Sequence, residues 1–184
     1  MRLETERLVL RKPEPTDLDG YVEMYGDPET VRFLGGTPQP PEEVPKRIDR
    51  LLELWEEHKL GLFSVLRKED ERLVGRVGYI VWETERWFNA TYEQVDGNLE
   101  LEIAWTIVRK FWNHGYATEA ALACRDHAFG ELERERVVSL ISPENVASIR
   151  VAEKIGESLE QRDVGGEAFS ATVDLYSFGK RPAR

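Results

Sequence analysis

One stretch of the sequence, residues 98 to 118, constrains the fold more than any other, because it combines a strand pattern, a turn and a helix pattern. Its first half alternates between two faces. One face carries Leu99, Leu101, Ile103 and Trp105, and the other carries Glu100, Glu102, Ala104 and Thr106. A period of two is typical of a strand whose faces meet different surroundings. Gly115 then precedes a run of good helix formers, residues 117 to 128. The stretch therefore predicts a strand that turns sharply into a helix.

The predicted turn has the features of an anion site. A strand that leads into a helix leaves the first N–H groups of the helix unpaired, and the helix dipole adds positive potential there. Gly115 has no Cβ and permits a close approach, while Arg109 and Lys110 add positive charge just before the turn. Two interpretations stay open at this point: a phosphate or pyrophosphate site, and a strand–helix connection without a ligand.

Motifs and charge exclude several classes of protein. The chain contains neither G-x-x-x-x-G-K-[ST] nor G-x-G-x-x-G, so it has no P-loop and no dinucleotide fingerprint. Its net charge of −10 argues against nucleic acid as a partner, because nucleic-acid binding needs a basic face. The same acidity attracts cationic amines, although it also serves solubility alone.

Cysteine, histidine and hydropathy patterns add further expectations. The single cysteine, Cys124, forms no internal disulfide, and its small apolar neighbours predict a buried thiol in a helix. Three histidines and one cysteine show no metal-ligand spacing, so we expect no metal. The lack of a long apolar run and of a signal-peptide pattern predicts a cytoplasmic protein with no membrane partner.

Periodicity, capping residues and turn residues predict the remaining elements. Before the central stretch they are a short strand within 3–11, a helix over 17–25 capped by Thr16, a helix from Pro28 to Gly35–Gly36 capped by Asp27, a helix over 41–59, and strands over 61–67 and 73–82. After it they are a strand over 137–141, a helix from Asn145 to Gly156, and a hairpin of 159–164 with 169–178. Gly75 and Gly78 inside one strand predict a bulge or a close backbone neighbour.

This order of elements predicts an α+β fold in a single domain, residues 1–184. The helix between the central strand and strand 137–141 requires a crossover, so these two strands should be parallel. The other strands pair as hairpins. We therefore expect a mixed, mostly antiparallel sheet flanked by helices on both sides.

Residues 112 to 120, Trp-Asn-His-Gly-Tyr-Ala-Thr-Glu-Ala, resemble the acyl-CoA pyrophosphate loop of the GNAT acetyltransferase superfamily, whose pattern is Gln/Arg-x-x-Gly-x-Gly/Ala. Gly115 and Ala117 fit, whereas Trp112 stands where Gln or Arg is usual. The RimJ/RimL branch of ribosomal-protein N-acetyltransferases often has an aromatic at this place. Asn113 replaces the Gly of that branch and tolerates left-handed dihedrals well. Further segments resemble this branch in the same order, so the GNAT acyl-CoA N-acyltransferase fold is implied. They are 5–11, 27–31, 145–156 and 174–177.

The resemblance implies acetyl transfer from acetyl-CoA, the cosubstrate, to an amine. In the family the pantetheine arm enters where the central strand and its parallel neighbour splay, so Ile107 and Val108 would offer backbone groups and an oxyanion-binding N–H. Asn145 would hold a pantetheine amide, or act only as a helix N-cap, and Arg150 is a candidate phosphate contact. The implied pyrophosphate loop comprises Arg109, Asn113, His114, Gly115, Tyr116, Ala117 and Thr118.

Glu102 is the candidate general base, since a lysine-like amine with a pKa of about 10.4 must lose a proton before it attacks. The segment from Glu102 to Trp105 resembles a Glu-Ile/Leu-Gly-Tyr pattern of the RimJ/RimL branch. Glu100, two residues away on the same face, is the rival. For either one the alternative is a solvent-facing or salt-bridged glutamate.

Ser148 is the candidate proton donor to the leaving thiolate. Many superfamily members use a Tyr where Ala152 stands here, and the RimJ/RimL branch has Ser at the position of Ser148. The alternative for Ser148 is a first-turn polar residue without a chemical role. Glu157 departs from the family, which usually has Phe after Gly156.

The acceptor is expected to be a small-molecule or peptide amine, and the sequence does not choose among a protein N-terminus, an amino acid, a polyamine and an aminoglycoside. Residues 27–45 and 83–97 should lie on the acceptor side. The segment 83–97 is either a lid or a loop packed on its own domain or on a second subunit, so a homodimer stays open. Two other functions stay open as well: a CoA-binding regulatory or scaffold protein without catalysis, and an unrelated α+β binding module.

Overall fold

The computed structural model describes residues 1–85, 87–89, 99–165, 169 and 172–179. The strands within them are Arg2–Glu4 (β1), Leu8–Arg11 (β2), Leu62–Arg67 (β3), Leu73–Glu83 (β4), Phe88–Asn89 (β5), Leu99–Ile107 (β6), Arg136–Ile141 (β7), Ser158–Val164 (β8) and Val173–Gly179 (β9). The α-helices are Leu18–Gly26 (α1), Pro28–Val31 (α2), Val44–His58 (α3), Tyr116–Gly130 (α4) and Val146–Lys154 (α5). Short 3-10 turns occupy Pro15–Asp17, Pro41–Glu43 and Arg109–Phe111.

All these strands join one sheet with the order β1-β2-β3-β4-β6-β7-β9-β8, and β5 pairs with β4. The β6–β7 pair is parallel, whereas the other described pairs are antiparallel. The chain passes from β6 to β7 through α4, as a parallel pair requires. The predicted crossover and the mixed, mostly antiparallel sheet are confirmed.

Helices cover both faces of the sheet, as expected. On one face, the Tyr21 hydroxyl of α1 lies 3.0 Å from Ser64 Oγ of β3. On the other face, Tyr79 Oη of β4 donates to the carbonyl oxygen of Cys124 in α4 at 2.5 Å. Ser64 is paired with Arg76, three residues before Tyr79, so the two contacts lie on opposite faces. Cys124 is fully buried, which confirms the predicted buried thiol.

Two glycines let β4 approach its neighbours closely. A Cβ on Gly75 would lie 2.2 Å from the Thr106 carbonyl oxygen of β6, and one on Gly78 would lie 2.4 Å from the Gly61 carbonyl oxygen. No side chain fits at either distance. The predicted close backbone neighbours are therefore present: Gly75 lies against the central strand β6, and Gly78 lies against the start of β3.

The N-terminal third corrects two predictions. Thr16 is not the N-cap of α1: Asp17 holds that position, and Thr16 lies inside the preceding 3-10 turn, which Glu14 caps. Glu14 N–H donates to the Asp17 carboxylate at 2.9 Å. The Asp27 cap is confirmed, but α2 ends at Val31 instead of reaching Gly35–Gly36. The N–H groups of Leu34 and Gly36 both turn back to the Val31 carbonyl oxygen, which closes the helix early.

Part of the predicted segment 83–97 lies outside the described residues, namely residue 86 and residues 90–97. Its described part contains the pairing of β5 with the end of β4. Residue 98, at the start of the central stretch, and Gly166, in the predicted final turn, also lie outside the described residues.

Candidate active site

The parallel strands β6 and β7 separate after a single pair of residues. Glu102 pairs with Val138, whereas β6 pairs with β4 at nine positions. Beyond that pair, side chains replace the backbone ladder: Ser139 Oγ donates to the Ile103 carbonyl oxygen at 2.8 Å, and Leu140 N–H donates to Glu102 Oε1 at 3.3 Å. The strands thus leave an opening toward their carboxyl ends, which we call the β6–β7 gap.

The Val108 backbone does not face this gap, so its predicted role requires correction. Val108 N–H donates to the Val74 carbonyl oxygen of β4 at 2.9 Å, and its carbonyl oxygen accepts from Phe111 N–H at 2.8 Å. Both groups are therefore used inside the fold. The sequence prediction missed this because the register of β4 against β6 decides which backbone groups point outward.

The backbones of Ile107 and Trp105 face the gap instead. Pairs in an antiparallel ladder alternate between hydrogen-bonded and non-bonded. Because the Val74–Val108 pair is bonded, the next pair, Gly75 with Ile107, is not, and Trp105 follows the same alternation. The Ile107 carbonyl oxygen already accepts from Trp112 Nε1 at 2.7 Å. The Ile107 N–H and both Trp105 backbone groups thus line the gap.

Glu102 lies at the closed end of the gap, where the strands are still paired. Its side chain is buried, and its Oε2 accepts a hydrogen bond from Trp82 Nε1 at 2.6 Å. Burial raises the pKa of Glu102 to about 7, while the bonds from Trp82 and from Leu140 N–H act in the opposite direction. A carboxyl group with this pKa can accept a proton near neutral pH.

Glu100, the rival carboxylate, is occupied by an ion pair. Both of its carboxylate oxygens lie 3.0 Å from Arg136 Nε, and the Arg136 guanidinium also contacts Glu160 at 2.7 Å. The Arg136 side chain is only 4% exposed. Glu100 therefore has the salt-bridged role that the sequence left open as an alternative, and Glu102 does not.

The turn between β6 and α4 exposes a set of backbone donors. Asn113 and Gly115 adopt left-handed conformations, with φ of 61° and 81°, which reverses the chain just before the helix. The first helical bond runs from Glu119 N–H to the Gly115 carbonyl oxygen at 3.0 Å. Within the described part of the chain, the N–H groups of residues 114–118 have no acceptor. They meet at the positive end of a 15-residue helix, where an anion is favoured.

Charged side chains around this turn include one that the sequence prediction missed. Arg7 donates to the His114 carbonyl oxygen at 3.0 Å, and its guanidinium lies 4.7 Å from the centre of the Tyr116 ring. Glu119 holds Arg7 in place through a 2.7 Å bond to Arg7 Nε. The predicted cation Arg109 is 58% exposed and lies 3.7 Å from the Asp27 carboxylate. Arg7 was missed because it comes from the distant β1–β2 hairpin.

The ring of His114 stacks on Tyr116, with centroids 5.7 Å apart and planes 10° from parallel. His114 Nδ1 also lies 2.8 Å from the Trp112 carbonyl oxygen. Tyr116 is buried, while Ala117 and Thr118, in the first turn of α4, are half-buried. These contacts hold the turn in one shape and leave its N–H groups exposed to a ligand.

The start of α5 brings Asn145 and Ser148 to the same side of the sheet as Trp105. Asn145 Oδ1 accepts from Ser148 N–H at 3.1 Å, so the expected N-cap is present. Trp105 Nε1 donates to Ser148 Oγ at 3.2 Å, which leaves the Ser148 hydroxyl hydrogen available to another acceptor. Arg150, further along α5, is exposed. Ala152, where many superfamily members have Tyr, is fully buried.

Other kinds of site find no support in the described residues. No group of three or more His, Cys, Asp or Glu side chains in this part of the chain is placed to hold a metal ion. No helix in the same residues has the length and apolarity needed to cross a membrane.

Sequence reasoning also missed Trp82, Ser139 and Glu157, which surround Glu102 and the gap. Trp82 reaches Glu102 only because β4 and β6 are in register, and a single sequence does not reveal that register. Ser139 is a polar residue inside a buried strand, and Glu157 is an acid where the family usually has Phe. These two unusual residues were the sequence features that could have pointed to Ser139 and Glu157. Both side chains are at most 3% exposed.

Comparisons with known proteins agree with the fold of the chain. The sequence profile of a family described as "Acetyltransferase (GNAT) domain" matches residues 7–157. An uncharacterized N-acetyltransferase of Bacillus licheniformis, p20, is 28% identical over 179 residues, which cover 96% of this chain and 93% of the relative. A solved GNAT-family acetyltransferase from Bacillus anthracis aligns with a TM-score of 0.78 at 24% identity, covering 97% of this chain and 98% of that one. RimL, a ribosomal alpha-N-protein acetyltransferase solved with coenzyme A, aligns over 97% of this chain and 98% of its own with a TM-score of 0.74 at 13% identity.

Proposed function

We propose, since this chain belongs to the GNAT acetyltransferase family, that it moves an acetyl group from acetyl-CoA to a primary amine by direct attack in a ternary complex. The Bacillus licheniformis relative and the Bacillus anthracis structure are named acetyltransferases, and the chain is an enzyme of this kind. The observation that carries the finer proposal is the β6–β7 gap, with buried Glu102 at its closed end and unpaired N–H groups of α4 beyond its open end.

The turn before α4 fits a pyrophosphate. The N–H groups of residues 114–118 converge there, and Gly115 leaves the approach open, since a Cβ at this residue would have Arg7 Nη2 at 3.5 Å as its nearest neighbour. Arg7 adds positive charge from the side, and Arg109 adds it from the preceding turn. In this proposal Asn113, His114, Tyr116, Ala117 and Thr118 shape the loop and supply its donors.

The gap fits the pantetheine arm, whose amides need backbone partners. The Ile107 N–H and the Trp105 backbone groups offer those partners along β6, in place of Val108. Ser148 of α5 contacts Trp105, and Asn145 lies beside Ser148 as the cap of the same helix. A backbone N–H on this edge would also polarise the thioester carbonyl and stabilise negative charge on its oxygen during attack.

Glu102 is the proposed general base. With a pKa of about 7, it is largely ionised at slightly alkaline pH and can take the proton that the attacking amine loses, directly or through water. Trp82 Nε1 and Leu140 N–H hold the carboxylate in one orientation. Glu100 has no such freedom, because Arg136 occupies it.

Ser148 is the proposed donor to the leaving thiolate. Its oxygen accepts from Trp105 Nε1, so its hydrogen can point toward the CoA sulfur, which becomes a thiolate when the amine displaces it. Ala152 brings no competing donor to this place.

We expect Ser148→Ala to lower turnover about tenfold, which corresponds to the loss of one hydrogen bond to a charged group. Acetyl-CoA affinity should change little, because the bond forms mainly as the thiolate leaves. Steady-state kinetics together with a binding titration measure the two effects, and Ser158→Ala, at an exposed position, is the matched control. Unchanged turnover in Ser148→Ala would remove Ser148 as the donor.

The acceptor proposed is a small-molecule or peptide amine, and the RimJ/RimL branch is the proposed place of this chain within the family. Support for the branch comes from the aromatic Trp112 and from the Ser148 position, together with the shared fold of RimL. The catalysis itself can be tested by thiol release from acetyl-CoA with a panel of peptide N-termini, amino acids, polyamines and aminoglycosides. Amine-dependent release supports the proposal. Acetyl-CoA binding without release for every amine would favour a CoA-binding protein that has lost catalysis.

A further inference from the structure

Glu157 is a buried acid that the proposed reaction does not use. It follows the C-terminal turn of α5, where its N–H donates to the Ala152 carbonyl oxygen at 2.9 Å and fixes its backbone. The side chain is 3% exposed. One carboxyl oxygen, Oε1, lies 3.2 Å from Ser139 Oγ of β7, and the other, Oε2, is buried with no hydrogen-bond partner in the described part of the chain.

Counting hydrogens at Ser139 shows which group donates. Ser139 Oγ lies 2.8 Å from the Ile103 carbonyl oxygen and 3.2 Å from Glu157 Oε1, but the hydroxyl carries one hydrogen. A carbonyl oxygen only accepts, and two oxygens 2.8 Å apart repel unless a hydrogen lies between them. The Ser139 hydrogen is therefore on the bond to Ile103. The contact with Glu157 is then a hydrogen bond only if the carboxyl group donates.

We propose that Glu157 is a positioning residue: in its protonated form it donates a hydrogen bond to Ser139 Oγ, which keeps the Ser139 hydrogen on the Ile103 carbonyl oxygen and sets how far β6 and β7 separate. The Ser139–Ile103 bond is the tie just beyond the last paired residues, Glu102 and Val138. Glu157 thus acts on the gap from a distance, through Ser139, and does not touch the reacting atoms.

The charges around Glu157 favour this protonated form. Burial is the main cause that raises the pKa of Glu157 to about 8, and the Glu102 carboxylate on β6 raises it further, while Ser139 and Arg136 on β7 lower it. Arg136 is engaged through Nε by Glu100 and through Nη1 by Glu160, and its Nη2 is buried and makes no hydrogen bond to Glu157 or to any other described group. On α4, the guanidinium of Arg125 donates hydrogen bonds to Asp126 and to the Ile155 carbonyl oxygen. No described cation therefore forms an ion pair with Glu157.

Ionisation of Glu157 breaks the hydrogen bond between Ser139 and Ile103. The carboxylate is a stronger acceptor than a carbonyl oxygen, so the Ser139 hydrogen turns toward Glu157 and the Ile103 carbonyl oxygen loses its donor. The strands are then held less firmly at the closed end of the gap, next to the Glu102–Val138 pair. If the gap receives the pantetheine arm, as the proposed function holds, acetyl-CoA affinity should fall as the pH rises through about 8.

The first test needs neither acetyl-CoA nor an amine. Infrared difference spectra of the wild type and Glu157→Gln at pH 6 should show the carbonyl stretch of one protonated carboxyl group that the variant lacks. Glu153→Gln, at an exposed acid of α5, is the control and should show no such band. If Glu157→Gln folds and its difference spectrum against the wild type lacks this band, the proposal is overturned. Should that variant not fold, Ser139→Ala is expected to shift the same band, because the acid loses its acceptor, and an unshifted band would overturn the proposal equally.

The second test follows acetyl-CoA affinity with pH. The wild type should lose affinity by about three- to tenfold between pH 7 and pH 9, the effect of one neutral hydrogen bond. Glu157→Gln keeps a donor to Ser139 at every pH, so its affinity should stay level across this range. If the affinity of both proteins changed with pH in the same way, the proposed role of Glu157 would be contradicted. If neither protein bound acetyl-CoA at any pH, the result would count against the proposed function. The infrared spectra would still test whether Glu157 is protonated.

Discussion

Replacing Glu102 by glutamine is expected to lower turnover at pH 8 by about 100-fold or more, the usual contribution of a general base. Glutamine has nearly the same shape, and its carbonyl oxygen can still accept from Trp82 Nε1 or Leu140 N–H, so the fold should persist. Acetyl-CoA affinity should change little, because the proposed phosphate contacts lie on the far side of the gap. Steady-state kinetics and a binding titration separate the two quantities.

The pH profile gives the sharper test of Glu102. The base acts in its ionised form, so wild-type turnover should rise with pH through about 7, the pKa of Glu102, and level off above it. Glu102→Gln should lose this rise. Glu100→Gln is the matched control, two residues away on the same strand: it weakens the pair with Arg136 and thus stability, but it should keep the pH rise. Turnover of Glu102→Gln equal to that of the wild type from pH 6 to 9 would remove Glu102 as the base.

Gly115→Glu is expected to weaken acetyl-CoA binding about 100-fold or more. The new carboxylate would occupy the point where the unpaired N–H groups of α4 converge, and it would repel a pyrophosphate there. Like charges in direct contact cost several kcal/mol, and a 100-fold loss corresponds to about 2.7 kcal/mol. A calorimetric titration with CoA and acetyl-CoA measures the loss.

Controls separate this charge effect from backbone strain. Gly115 has a φ of +81°, which any other residue adopts at a cost. Gly36 has a φ of +77° and no side chain within 4 Å of its Cβ place, so Gly36→Glu adds the same charge under the same strain on a different turn. Gly115→Ala adds the strain without the charge. Full affinity in a folded Gly115→Glu protein would contradict the assignment of this loop to phosphate.

The fold was largely predictable from the sequence because its signals are local. The alternation in 99–107, the glycine before α4 and the Asp27 cap each act through neighbouring residues, and each is present in the structure. The crossover through α4 also follows from chain geometry alone. Thr16 misled the prediction because Asp17, held by Arg11 and Ser64, takes part in a capping box with Glu14 instead.

The candidate site was only partly predictable, because register and distant contacts decide its details. The choice between Glu102 and Glu100 depends on Trp82 and Arg136, which lie on other strands. The direction of the Val108 N–H depends on Val74 across the sheet. Arg7 reaches the turn before α4 from more than a hundred positions away in the chain. Such pairings are set by tertiary packing, and no periodicity in a single sequence records them.

We propose that the turn before α4 and the β6–β7 gap together bind acetyl-CoA. The most direct test is a titration of the folded protein with acetyl-CoA, read by calorimetry and by melting temperature. We expect saturable binding with a dissociation constant between about 1 µM and 1 mM, the usual range for an enzyme and its substrate. The melting temperature should rise with ligand concentration. A folded protein that shows neither heat of binding nor a shift at millimolar acetyl-CoA would contradict this proposal.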